Sequence, residues 1–309
     1  MEEVFLSTKQ VAEFLDVNEK MVYTLISEKG LPATKVTGKW RFPRQLVEKW
    51  LDRHIVNHPG PGPQISVSGL LVFAGSNDLL LDRTIALFNR TFPDYLAVFG
   101  NVGSMGGITA LNKGLCHVAS SHLMQEGGKE YNFQYVPVKF GGETPAVINF
   151  AMREQGIVIA KGNPLGIQGM SDLKKKGIRV VNRPLGTGTR LLFDTELERE
   201  GIDPASLAGY EHECRSHLEV ALEIAAGKAD VGVAIRPASN LLGLDFVPLR
   251  WERFDLLVGR ERFFEKGIQS FLGLLQEPEF RDMAQSLGGY NLDICGKIVY
   301  PQPSRKPLE

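Results

Sequence analysis

The sequence predicts an α/β protein with a separate small helical unit at its N-terminus, and three observations predict it. The run IVNHPGPGPQ, residues 55–64, suits neither helix nor sheet, because proline lacks a backbone donor and glycine lacks steric restraint. Before it lie two short helical patterns separated by a tight turn. After it, short apolar runs that end in small polar residues alternate with helical patterns, the order that builds mostly parallel sheets covered by helices. The expected division is therefore residues 1–56, a linker over 57–65 and a larger unit over 66–309.

The bulk numbers narrow the function classes. With 309 residues and 43% apolar content, the chain is long enough for two or three compact units and is not of a disordered class. A formal charge of −1 gives no global attraction to nucleic acid or to acidic membranes, so any basic surface must be local. Three widely spaced cysteines, Cys116, Cys214 and Cys295, do not read as a disulfide framework. The start MEEVFLSTKQ is acidic without an apolar signal core, and no run approaches the roughly 20 apolar residues of a membrane helix. The expectation is a cytoplasmic protein with no membrane partner.

In the small unit, Ser7 with Gln10 three residues later marks a capping-box helix start, and Val11, Ala12, Phe14 and Leu15 supply its buried stripe. Asp16-Val17-Asn18 turns the chain. Asn18 caps a second helix whose Val22, Leu25 and Ile26 face the first, and Gly30 with Pro32 ends it. The following TKVTGKWRF suits a two-stranded wing turning at Gly38. Acidic Glu2, Glu3, Glu13 and Asp16 precede the turn, whereas Lys20, Lys29, Lys35, Lys39, Arg41, Arg44 and Lys49 follow it, so one face is basic despite the neutral total.

Ala12, Leu15, Val17, MVYTLI, GLPATKV, Gly38 and WRF together resemble the excisionase-type winged helix-turn-helix, a relative of the DNA-binding heads of mercury-resistance regulators. The resemblance covers nearly all of the segment. It implies that the helix beginning at Asn18 enters the major groove while the wing touches the backbone or minor groove. Asn18, Lys20, Tyr23, Thr24, Lys35, Lys39 and Arg41 are then the candidate DNA contacts. The bland alternative is a protein-binding helical module with solvated charges.

In the larger unit, LLVFA ends in Gly75-Ser76-Asn77-Asp78 before a helical pattern containing Leu81, Ile85 and Phe88. YLAVFG leads through Asn101-Val102-Gly103-Ser104 into another helix, and HVAS ends at Ser121-His122. Ligands bind beyond the carboxyl ends of parallel strands, so Ser76, Ser104 and Ser121 could converge on one cleft. Singly, each serine reads as well as a helix cap. GIVIAKGNP is a further strand, GIRVVN leads into the turn NRPLGTGTR and the helix RLLFDTELERE, and LEVALEIAAGKADVGVAI reads as helix, glycine stop and strand. FDLLVG and the helical pattern IQSFLGLLQEPEFRDMAQSL close the unit.

This order, with GSNDLLLD, GSMGG, KGNPLGI, RPLGTGTR and GKADVGVAI, resembles a two-lobed periplasmic-binding-protein-like domain of type II. The expected first lobe is about 66–155 and 237–309, and the second about 156–236, with the switch near Gln155-Gly156 and the return after Ile235. More narrowly, the chain resembles cytoplasmic versions of that domain joined to helix-turn-helix heads and related to molybdate and tungstate receptors, whose arginine and glycine-threonine loop is similar to NRPLGTGTR.

Such a cleft holds an oxyanion with hydroxyls and helix-start N–H groups. Ser76, Ser104, Ser121, Thr187 and Thr189 supply the hydroxyls, Gly188 lies in the same turn, and Arg190 or Arg183 adds a charge-assisted contact. Arg153 either reaches the cleft or pins the hinge, Ser216 and His217 start a helix facing the cleft, and Asp230 borders it or braces a strand end. The turn is not a phosphate-binding P-loop, because it lacks the Gly-Lys-Ser/Thr ending, and Leu191 stands where a dinucleotide fingerprint needs its third glycine. Val102 removes the nucleophile elbow at Ser104. His212, Cys214 and His217 lack a fourth ligand and a paired metal spacing. The expected function is a one-component transcriptional regulator, a homodimer on operator DNA sensing molybdate or tungstate, with no catalytic residues, no metal site and no cofactor. The alternative is an oxyanion-binding module or an enzyme of molybdenum-cofactor metabolism that does not bind DNA.

Overall fold

A computed structural model of the chain describes residues 5–36, 38–54, 69–122 and 145–300. The expected linker, 57–65, lies outside the described residues. The chain divides into two compact units, residues 1–60 and 61–309.

The first unit comprises β1 (Phe5–Leu6), α1 (Thr8–Phe14), α2 (Glu19–Lys29), β2 (Thr34–Val36), β3 (Lys39–Pro43) and α3 (Arg44–His54). Ser7 caps α1 with a full capping box: its hydroxyl accepts from Gln10 N, and the Gln10 side chain accepts from Ser7 N at 2.8 Å. The Asn18 side chain accepts from Met21 N at 2.9 Å to start α2, and Gly30 ends that helix in the left-handed conformation open to glycine. The wing forms as β2 and β3, to which β1 adds a third strand in the order β1-β3-β2. Leu6, Val11, Ala12, Val22, Leu31, Phe42 and Val47 make the core. Phe14 departs from the expected buried stripe and is 43% exposed. It lies about 110° around α1 from the centre of the Val11, Ala12 and Leu15 face.

The second unit is built on β4 (Leu70–Gly75), β5 (Leu96–Asn101), β6 (Val118–Ser121), β7 (Ala146–Ile159), β8 (Val180–Val181), β9 (Val231–Ile235) and β10 (Asp245–Val258). They run in the order β5-β4-β6-β10-β7-β9-β8, with β11 (Tyr290–Asn291) and β12 (Ile298–Tyr300) pairing to β7. Two parallel modules, β5-β4-β6 and β9-β8, are joined by the antiparallel pair β7 and β10. The helices are α4 (Leu79–Thr91), α5 (Gly103–Asn112), α6 (Gly188–Arg199), α7 (His217–Ala225), α8 (Arg236–Leu241), α9 (Lys266–Leu274) and α10 (Pro278–Leu287).

Both β7 and β10 span two lobes. Ile148, Phe150, Phe254 and Leu256 pack in one core with α4, α9 and α10, while Ile157, Ile159 and Val247 pack in another with α6. The return between lobes therefore lies inside β10, not after Ile235, because α8 and the first half of β10 still pack on the second lobe through Ala238, Phe246 and Leu249. Among the described residues no helix is long and apolar enough to cross a membrane.

Replacing Asn18 by alanine removes the α2 cap without touching the core. Denaturant unfolding of the first unit should show a loss of about 1 kcal/mol.

Candidate functional site

The centre of the second unit is a buried ion cluster at the point where β7 and β10 cross between lobes. Arg153 of β7 stands opposite Glu252 of β10 in register, and its Nε donates to Glu252 Oε1 at 2.5 Å. Its Nη1 donates to Asp78 Oδ2 at 3.0 Å, and the guanidinium lies over the Phe254 ring, 4.3 Å from its centroid. All three charged side chains are essentially inaccessible. Burial opposes the Arg153 charge, but Glu252 and Asp78 outweigh it and raise its pKa. Burial would likewise raise Glu252, and Arg153 holds it below the ordinary range. Asp78 is also the N-cap of α4, accepting from Leu80 N and Leu81 N, and it accepts from the Tyr290 hydroxyl.

Around this cluster stand polar groups that have no partner among the described residues: Arg153 Nη2, Gln155 Oε1, His122 Nε2, Arg183 Nε, and both ring nitrogens of His217. Each belongs to a buried side chain. Arg153 and Gln155 are two apart on β7 and share a face. His122 follows β6, Arg183 follows β8, and His217 opens α7 with Ser216 as its cap. Burial, Arg183, Arg153 and His122 together push the His217 pKa well down. Burial first, and Arg153, Arg183 and Arg250 beyond the opposing pull of Glu252, bring His122 to about 3. Both imidazoles are therefore neutral. Arg183 is itself lowered to about 10 by burial and by Arg153.

Unpaired buried polar atoms are costly, and six of them around one point mark a place built for a polar ligand. The buried charges Asp78, Glu252, Arg153 and Arg183 sum to zero, so the attraction for an anion comes from the free N–H groups and from the N-termini of α5, α6 and α7. An open groove of about 390 Å³ reaches Arg183 from outside, with Val102 and Met105 on one wall and Leu185 and Arg215 on the other. The two walls meet closely. A Cβ on Gly188 would lie 2.4 Å from His122 Cδ2, so only glycine lets the start of α6 rest on that ring.

The expected site residues separate into two groups. Ser104, Arg153, Arg183, Gly188, Thr189 and His217 gather at the cluster. Ser104 Oγ accepts from His122 N at 3.2 Å and lies 3.3 Å from its Nδ1, and Thr189 Oγ1 accepts from Gln155 Nε2 at 3.2 Å. Ser76 and Ser121 are buried at neighbouring strand ends, where Ser76 N donates to Ser120 O at 3.0 Å. Thr187 and Ser216 serve as caps of α6 and α7. Arg190 is held by Asp194 at 3.0 Å and Glu213 at 3.3 Å and lies over the Tyr210 ring. Asp230 braces Arg179 at 2.8 Å. His122, Gln155, Asp78 and Glu252 were not among the expected site residues. His122 had a signal, its place at a strand end, but Glu252 had none, because only the register of β10 brings it to Arg153.

In the first unit, Asn18, Lys20, Tyr23, Lys35, Lys39 and Arg41 are exposed and Thr24 is half-buried. Lys20, Tyr23 and Thr24 belong to α2, and Lys35, Lys39 and Arg41 to the β2–β3 wing, where Lys35 Nζ lies 5.7 Å from the Trp40 ring. Among the described residues no three His, Cys, Asp or Glu side chains gather as a metal site.

A histidine neutral in the fold but ordinary when unfolded lets the unfolded chain bind more protons below its unfolded pKa. Stability is then fully present above about pH 6.5 and lost as pH falls toward 3, by about 1.4 kcal/mol per pH unit for each titrating ring. Urea unfolding at stepped pH should show this slope in the second unit, and His122→Asn should reduce it by one ring's share.

Residues 5–54 match a helix-turn-helix domain family, and residues 85–276 match the PBP superfamily domain. The chain is 28% identical over 306 residues to the uncharacterized protein YvgK of Bacillus subtilis (strain 168), covering 94% of this chain and 96% of that one. It is 34% identical over 110 residues to an uncharacterized protein in the ferredoxin 2Fe-2S gene 5′ region of Clostridium pasteurianum, 35% of this chain and 97% of that one. The putative phosphate ABC transporter substrate-binding protein with bound phosphate from Clostridium perfringens shares the fold, with TM-score 0.52 and 16% identity over 71% of this chain and 97% of that one. The chain belongs to the PBP superfamily and carries an N-terminal helix-turn-helix domain.

Proposed function

We propose that the protein is a cytoplasmic one-component transcriptional regulator. Its winged helix-turn-helix binds operator DNA as one half of a homodimer, and its two-lobed unit binds a small oxyanion that sets the affinity for DNA. The observation that carries the ligand half of this reading is the ring of unpartnered polar atoms on Arg153, Gln155, Arg183, His122 and His217 at three helix starts. A compact anion satisfies such donors in several directions at once. The exposed basic and polar residues of α2 and the wing support the DNA half. Molybdate and tungstate are the candidates that the NRPLGTGTR resemblance favours. The placement of Arg190 and Thr187 shifts the weight within that turn to Arg183 and Thr189, together with the helix starts. Binding and regulation, not catalysis, are what these two domains are suited to.

Regulation requires coupling: ligand and DNA must change each other's affinity by the same factor. Fluorescence anisotropy with the protein's own upstream DNA should show at least a roughly 5-fold change in affinity when a bound oxyanion saturates the cleft. Equal affinity with and without the anion would refute sensing. Arg183→Gln should weaken oxyanion binding about 10-fold or more and leave DNA binding without ligand unchanged, as read by calorimetry and anisotropy. Lys39→Ala with Arg41→Ala should weaken DNA binding for every sequence and lower the salt slope by roughly one for each phosphate no longer neutralised, with oxyanion binding intact.

A further inference from the structure

The unpartnered atoms at the buried cluster are not all donors, and their count by type narrows the ligand. Ser104 Oγ accepts the backbone N–H of His122 and lies against its Nδ1. With Nδ1 the acceptor beside its one hydroxyl proton, Ser104 donates there in the tautomer that carries the ring proton on Nε2, and in that tautomer the orphan atom is a donor. Arg153 Nη2 and Arg183 Nε are donors by chemistry. The neutral His217 ring has one N–H and one lone pair, and neither nitrogen has a partner. Gln155 is oriented by its neighbours: its amide nitrogen donates to Thr189 Oγ1 at 3.2 Å and serves Glu252, a carboxylate that only accepts. Gln155 Oε1 is thereby left as a buried acceptor with no donor.

The vacant hydrogen-bonding positions thus comprise four donors and two acceptors. A fully deprotonated tetrahedral anion, such as sulfate, molybdate or tungstate, satisfies the donors but leaves Gln155 Oε1 and one His217 nitrogen facing lone pairs. Each such mismatch in a closed site costs at least about 10-fold in affinity. We propose that the cleft is built for an oxyanion that keeps an O–H, the hydrogen phosphate class, whose hydroxyl donates to Gln155 Oε1 while its other oxygens take the N–H groups of Arg153, Arg183 and His122. This rests on the oxyanion reading above and replaces molybdate and tungstate with a proton-bearing ligand. The zero sum of the buried charges suits it, because a ligand that brings its own proton does not require one to be drawn from solvent onto the histidines.

The test is calorimetry of the dialysed full-length protein at neutral pH, where inorganic phosphate carries one or two protons and sulfate, molybdate and tungstate carry none. Inorganic phosphate is expected to bind at least about 10-fold more tightly than the other three, one factor of ten for the acceptor its hydroxyl meets. Gln155→Met, which keeps length and loses the acceptor together with the amide N–H given to Thr189 and Glu252, should cut the ratio of phosphate to sulfate affinity by about 10-fold. Molybdate, tungstate or sulfate binding as tightly as phosphate overturns this inference and leaves the oxyanion reading standing. Absence of binding by all four anions overturns that reading as well. A phosphate preference that Gln155→Met leaves untouched removes Gln155 as its source and overturns the role of Gln155 Oε1 as the acceptor of the ligand's proton.

Discussion

Everything in the second unit turns on a single buried arginine. Arg153 lies near the middle of a strand shared by both lobes, and its charge is tolerable there only because Glu252 lies opposite it in register and Asp78 caps a helix beside it. The desolvation of three ions is large, and removing any one partner would leave the others uncompensated. The cluster therefore ties four elements to one geometry: β7, β10, the start of α4 and, through Tyr290, β11. One Arg153 nitrogen has no partner among the described residues, so the same group that organises the lobes also keeps a donor for a ligand.

The electrostatic design follows from that arrangement. With Asp78, Glu252, Arg153 and Arg183 summing to zero, positive potential must come from elsewhere, and the free N–H groups and the helix starts at Gly103, Gly188 and His217 supply it. Two imidazoles in the same pocket cannot carry charge beside two guanidiniums, and burial keeps both neutral. Neutral histidines contribute direction more than charge, because each ring has one donor nitrogen and one acceptor nitrogen. Gly188 completes the site by absence, since any side chain there would press on His122 and hold the walls apart.

Much of this was legible in the residues. Ser7, Asn18 and Gly30 announced the helix ends of the first unit, and the structure uses them in those roles because capping is a local hydrogen-bond matter. Strand ends carrying Ser76, Ser104 and Ser121 pointed to a cleft, and of the three the structure sets Ser104 against His122 at the buried cluster. The single helical pattern read from Ile268 to Leu287 instead divides into α9 and α10, with Pro278 opening the second. Thr187, Ser216 and Arg190 show the limit of such reading. A hydroxyl before a helix and an arginine after a glycine turn fit both a ligand and a cap or ion pair, and only neighbours such as Asp194, Glu213 and Tyr210 decide which.

By itself the sequence determined the local and periodic features: two units, the helix-turn-helix with its wing, the alternation of strands and helices, and the polar residues waiting at their ends. These depend on contacts within a few residues, which composition and spacing encode directly. The tertiary structure alone decided that β7 and β10 run unbroken through both lobes, that Glu252 meets Arg153, and that Gln155, His122 and His217 are left with unpaired atoms around one point. Those outcomes depend on strand register and on packing between segments nearly a hundred residues apart, where one step of register would turn Arg153 and Gln155, or Glu252, to the opposite face.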